Sequence, residues 1–380
     1  MRHFLRAIEE QVMDALCRRE FMQRTLALGL GGQAGLTLAL AACRSRSRSS
    51  SAADGEAAPP ELGPIERELH IYNWADYMPE ETVPNFEKEF GVKVTYDTYE
   101  TNEEMVINLR AGVKGYDLVV PTGWQLRILA EGGLLHPLSR AHLTNWNHLS
   151  PLFLRPPANT ASAYGVPYVW GITGIAYRRD KVKEPVRSWG VFLDRDYAGR
   201  MTMLNERREV IGAMLRYRGR SLNSTDPFEL GQAQADALAA KRNLRDYLSV
   251  QVRPYLLSGD VWVAQLYNGA VMRLSGLDPA IAFALPREGA AIWCDFICVP
   301  KGAPNPRAAH EFINYLLRPD VGARLAEVTG YGSPNNAATR LIEKPIPYPT
   351  SEEFRRLEYQ VDLGPANALW DRVWAEIRNA

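Results

Sequence analysis

In Leu69-His70-Ile71-Tyr72-Asn73-Trp74-Ala75-Asp76-Tyr77 an apolar strand, Leu69 to Asn73, runs into a turn crowded with rings and one carboxylate. Pro79 to Phe90 then carries Val83, Phe86 and Phe90 at helical spacing, with Gly91 as the stop. Pro84 either kinks this helix or marks its first turn. Val92 to Tyr96 reads as a second strand, Asn102 to Ala111 as a helix and Tyr116 to Val120 as a third strand. Strands separated by helices imply right-handed crossovers and a mostly parallel sheet covered on both faces.

A second block follows Gly165-Val166-Pro167-Tyr168-Val169-Trp170-Gly171. It continues through Ile175-Ala176-Tyr177, a helix opened by Asp226-Pro227, and the strand-like runs Val261 to Leu266 and Ala291 to Val299. Helices are expected at Ala308 to Leu317 and Asp320 to Glu327. Leu369, Val373, Trp374 and Ile377 close the chain as an amphipathic helix. No fixed-period repeat is visible. The pattern gives an α/β protein with two lobes of similar build.

Ahead of this domain the chain reads as an address. Arg18-Arg19-Glu20-Phe21-Met22 is a twin-arginine pattern, and Thr25 to Ala42 is an apolar, Gly-rich signal core ending in Leu40-Ala41-Ala42-Cys43. That ending resembles a bacterial lipoprotein box, so residues 1–42 are expected to be a signal peptide and Cys43 the acylated first residue of the mature chain. The Arg-Ser repeat and Ala/Pro/Glu tract that follow make 43–66 a flexible tether. The glycines at 29, 31, 32 and 35 follow no strand and are not a dinucleotide loop.

Lys+Arg and Asp+Glu both number 44 among 380 residues, so no global field favours nucleic acid or a membrane surface. Membrane contact is expected only through the lipid. The cysteines form no CxxC pair and the six histidines no HExxH, which leaves no metal or cofactor motif. Cys294 and Cys298, about 13 Å apart along a strand, are expected as buried free thiols.

Carboxylates and rings recur together at the carboxyl ends of the expected strands, where α/β sheets hold ligands. The instances are Trp74, Asp76 and Tyr77; Trp124 after Pro121-Thr122-Gly123; Glu206 and Glu209; Tyr267; and Trp293 with Asp295. A linear polyamine needs such a lining. Its ammonium groups require carboxylates, because an unpaired buried ammonium costs several kcal/mol or more. Its methylenes suit aromatic faces, which add about 0.5–2 kcal/mol of cation–π attraction per contact.

At these residues the chain resembles the bacterial periplasmic spermidine/putrescine-binding protein family. The likeness spans Leu69 to Ile377 through Tyr72-Asn73-Trp74-Ala75-Asp76-Tyr77, Thr98-Tyr99-Glu100-Thr101-Asn102-Glu103 and Tyr116-Asp117-Leu118-Val119-Val120-Pro121. It continues in Val166 to Gly171, Arg208-Glu209-Val210, Leu317-Arg318-Pro319-Asp320-Val321 and Gly330-Tyr331-Gly332-Ser333-Pro334-Asn335. The resemblance implies a type II periplasmic binding protein, with one lobe at 67–169 and 294–340 and the other at 172–292 and 343–380. By motif it makes Trp74, Tyr77, Trp124, Tyr267 and Trp293 an aromatic box. Asp76, Glu206, Glu209 and Asp295 become the ammonium-holding carboxylates, and Thr122, Tyr331 and Gln360 polar partners.

There are departures from the family pattern. Trp124 stands where spermidine-binding members usually have Tyr, Tyr267 where they have Trp, and Glu206 replaces an Asp. Ala270 lies where putrescine-specialised relatives carry an Asp, which favours spermidine or mixed specificity. The implied role is a periplasmic, lipid-anchored monomer that hands its solute to ABC transporter permease subunits, without cofactor or catalysis. A same-fold receptor for iron, thiamine or a sugar remains an alternative, as does a secreted hydrolase using Glu206, Glu209 or Asp295 as an acid/base pair. A sensor that signals occupancy is a third.

Overall fold

The structure, a computed structural model, describes residues 62–112, 115–154, 163–183, 185–343, 346 and 349–380. The expected signal peptide, Cys43 and the tether as far as residue 61 lie outside the described residues.

Among the described residues there are ten strands: β1 (Glu68–Trp74), β2 (Lys93–Tyr99), β3 (Leu118–Val119), β4 (Gly165–Arg178), β5 (Met201–Met203), β6 (Leu244–Tyr247), β7 (Val263–Tyr267), β8 (Ile281–Ala284), β9 (Ala290–Cys298) and β10 (Leu357–Tyr359). They follow the order β2-β1-β3-β9-β4-β7-β5-β6, with β10 beside β9 and β8 beside β4. Pairings within β2-β1-β3 and within β6-β5-β7 are parallel, as strand–helix alternation requires. Every antiparallel pairing between these strands involves β4 or β9. The sheet is therefore more mixed than the sequence pattern alone implies.

All fourteen residues of β4 are buried. Its first half pairs with β9 as far as Ile172↔Ile292, and from Thr173↔Tyr267 it pairs with β7. One strand thus belongs to two sheets, each with its own core. The first core gathers Leu69, Phe86, Val169, Ile297 and Phe312; the second gathers Ala176, Leu256, Leu266 and Ile281.

Local chemistry explains the element ends. The helix Thr82–Phe90 has Pro84 in its first turn, where the missing N–H costs nothing, and stops at Gly91 with φ +65°. Asp226 caps Pro227–Lys241, its carboxylate accepting from the Phe228 and Glu229 amides at 2.7 and 3.2 Å. Strand β3 is shorter than its sequence suggests, and just before it the Asp117 carboxylate accepts from the His70 amide at 2.8 Å and from the Asn305 amide at 2.6 Å. Cys294 and Cys298 are buried free thiols on β9.

Candidate ligand-binding cleft

The point where β4 changes partner sets the site. Tyr267 ends β7 opposite Thr173, and Trp293 lies on β9 opposite Gly171. Their rings meet edge to face at 5.5 Å. Tyr331 stands edge-on to Trp293 at 5.1 Å, and Tyr77 edge-on to Tyr331 at 5.5 Å. A Cβ on Gly171 would fall 2.5 Å from the Trp293 ring, so the bare backbone there makes room for the indole. Trp74 is held by its Nε1, which donates to the Val120 carbonyl at 2.8 Å, and by the Tyr99 ring at 4.6 Å. Trp124 enters from the first turn of the helix Gly123–Glu131, just after Thr122.

These side chains line one cleft of about 130 Å³. Of the twelve residues expected from sequence, eleven face it: Trp74, Tyr77, Thr122, Trp124, Glu206, Glu209, Tyr267, Trp293, Asp295, Tyr331 and Gln360.

Besides Glu100, three carboxylates line the cleft. Asp295, only 3% exposed, accepts at Oδ2 from the Tyr77 hydroxyl at 2.6 Å, while its buried Oδ1 has no partner among the described residues. Burial pushes its carboxyl up to about 8, against the Tyr77 hydrogen bond. Glu209 accepts from Gln360 Nε2 at 2.9 Å and is pushed by burial to about 7. Glu206 sits at the N-cap of the helix Arg207–Tyr217, accepting from the Arg208 amide. Its carboxyl is also raised, by burial and then by the Glu103 charge. Three acids held near their neutral forms in an aromatic cleft form a receiver for positive charge.

Asp76 departs from expectation. Its φ of +55° turns the side chain away from the cleft lining, its carboxylate is more than half exposed, and it pairs with Arg253. Gln251 Nε2 reaches the Glu100 carboxylate at 3.1 Å beside it. Both contacts join the β1–β2 side of the mouth to the segment ahead of β7. Arg253 and Arg273 line the cleft, and sequence reasoning missed both. They lie on helices away from strand ends, and no spacing distinguishes them from the other basic residues.

Comparison with known proteins places the chain. Residues 81–350 match the family model described as bacterial extracellular solute-binding protein. The spermidine/putrescine-binding periplasmic protein of Escherichia coli K12 is 32% identical over 317 residues, covering 82% of this chain and 91% of that protein. A putrescine-binding periplasmic protein of the same strain is 34% identical over 344 residues, with 84% and 93% covered. The solved TpPotD lipoprotein of Treponema pallidum is 31% identical with a TM-score of 0.75, covering 82% of this chain and all of that one. The chain belongs to the bacterial extracellular solute-binding protein family and has the type II periplasmic binding protein fold.

Proposed function

We propose that the protein captures a polyamine of the spermidine/putrescine type in its cleft and delivers it to an ABC importer, tethered outside the cytoplasm by a lipid on Cys43. The observation that carries this reading is Asp295: a buried carboxylate oxygen without a partner, set among the rings of Trp293, Tyr77 and Tyr331. An ammonium satisfies that oxygen, and the rings cover the methylenes beside it. Glu209 and Glu206 receive further ammonium groups, with Trp74, Trp124 and Tyr267 as walls and Thr122 and Gln360 as polar partners.

In this reading the lobes, 67–169 with 294–340 and 172–292 with 343–380, turn about the crossing strands β4 and β9. Ligand held by both lobes favours the closed form, which the permease subunits recognise in a monomeric receptor. No bond is made or broken. Relatives named for spermidine and putrescine support the solute class. Titration calorimetry on protein stripped of endogenous ligand tests it: spermidine or putrescine binds at micromolar or lower Kd, and neutral sugars do not. Failure of every polyamine to bind removes the reading.

A further inference from the structure

The charge in the cleft is unevenly distributed. Around Tyr331 two guanidiniums, Arg273 and Arg253, act beside two carboxylates, Asp295 and Asp76. Arg273 lies 5.9 Å from the Tyr331 ring centroid and donates through Nη1 to the Thr329 carbonyl. Among the described residues no carboxylate pairs with it. Arg253 is paired with Asp76, yet its Nε is buried without an acceptor. Both arginines line the same cleft as Asp295.

A polyamine carries only donors in its charged form, so it cannot satisfy a guanidinium and is repelled by one. Asp295 Oδ1, buried and without a partner among the described residues, wants a donor. The cleft therefore offers an unmet acceptor at Asp295 and, at Arg273, a guanidinium that no carboxylate among the described residues neutralises.

We propose that the preferred ligand is asymmetric: a polyamine whose ammonium groups meet Asp295, Glu209 and Glu206, and whose far end carries an acceptor oxygen, as an acyl carbonyl or a carboxylate, held by Arg273 and Arg253. This inference rests on the polyamine reading and narrows its substrate class. Arg273 then acts as a specificity-determining residue. Its planar fork suits a carbonyl or carboxylate oxygen, and its charge discriminates against a bare terminal ammonium.

The test is calorimetry on ligand-stripped protein with four probes: putrescine, N-acetylputrescine, spermidine and N1-acetylspermidine. A fifth, 4-aminobutyrate, distinguishes a carboxylate from an acyl oxygen. The expected result is that an acetylated or carboxylated probe binds about tenfold or more tighter than its parent amine, as one charge-assisted hydrogen bond allows. Arg273→Met removes or reverses that preference. Because the readout is a ratio between ligands on one protein, loss of folded fraction cancels. Putrescine and spermidine binding at least as tightly as the modified probes, or a ratio unmoved by Arg273→Met, overturns the inference and leaves the polyamine reading standing. Binding of no probe overturns both.

Discussion

The Tyr77 hydroxyl donates to Asp295 Oδ2 at 2.6 Å across 218 residues of chain, and so fixes the other oxygen toward the cleft. The tyrosine orients the carboxylate and takes one lone pair, leaving Oδ1 for a ligand. Asp295→Asn is expected to weaken polyamine binding by about 2–5 kcal/mol, because it strands a desolvated ammonium. Tyr77→Phe loses only a neutral donor and costs about 1 kcal/mol. Calorimetry on both variants checks the order; equal losses would mean that Asp295 does not meet the ligand's charge.

Burial raises the carboxyls of Asp295 to about 8 and Glu209 to about 7, and raises Glu206 in the same direction. A cation binds their ionised forms, so affinity should rise as pH moves from 6 to 8, with proton release on binding. The ligand-free protein should show the opposite trend. Folded values above unfolded ones give stability that is complete below about pH 4 and lost as pH rises through 7 to 8. Melting temperatures of the stripped protein should fall across that window, and saturating spermidine, which keeps these carboxyls ionised in the folded state, should flatten the dependence.

Asp76 and Arg253 join opposite sides of the cleft mouth, with Glu100 and Gln251 beside them. Asp76 is largely exposed, so the pair contributes at most about 1 kcal/mol and is screened by salt. Asp76→Ala should speed ligand release several-fold at low ionic strength in stopped-flow measurements. That difference should shrink at high salt. An unchanged release rate would show that the pair does not hold the mouth shut.

Gly171 faces the Trp293 indole, where a Cβ would lie 2.5 Å from the ring. Gly171→Ala should displace the indole, cost about 1–3 kcal/mol of stability through overpacking, and weaken ligand binding as well. Thermal melts and titration on the same sample check both effects.

Much of this was legible in the sequence. The strands at Leu69 and Ala291, the helix cap at Asp226 and the rings and acids at strand ends carry local signals, whereas Thr122, Tyr331 and Gln360 are implied only by the family resemblance. Asp76 is placed apart from the others, and a strand-end carboxylate looks the same in sequence whether it lines the cleft or, at φ +55°, meets a partner at the mouth. That partner, Arg253, is 177 residues away. Arg253 and Arg273 were invisible because exposed and inward-facing arginines on a helix share one pattern, and only tertiary packing separates them. The single strand β4 shared by two sheets was read as two separate runs, Val166 to Gly171 and Ile175 to Tyr177, because glycines at 171 and 174 interrupt its apolar pattern.

That shared strand has a consequence for how the molecule comes apart. Residues 165–172 of β4 complete one sheet and residues 173–178 the other, with β9 laid along the first part. Neither half can melt alone without stripping a fully buried strand from its neighbour and exposing its backbone polar groups. The two cores should therefore unfold in one cooperative transition, with calorimetric and van't Hoff enthalpies in agreement, despite being separate bodies of apolar side chains.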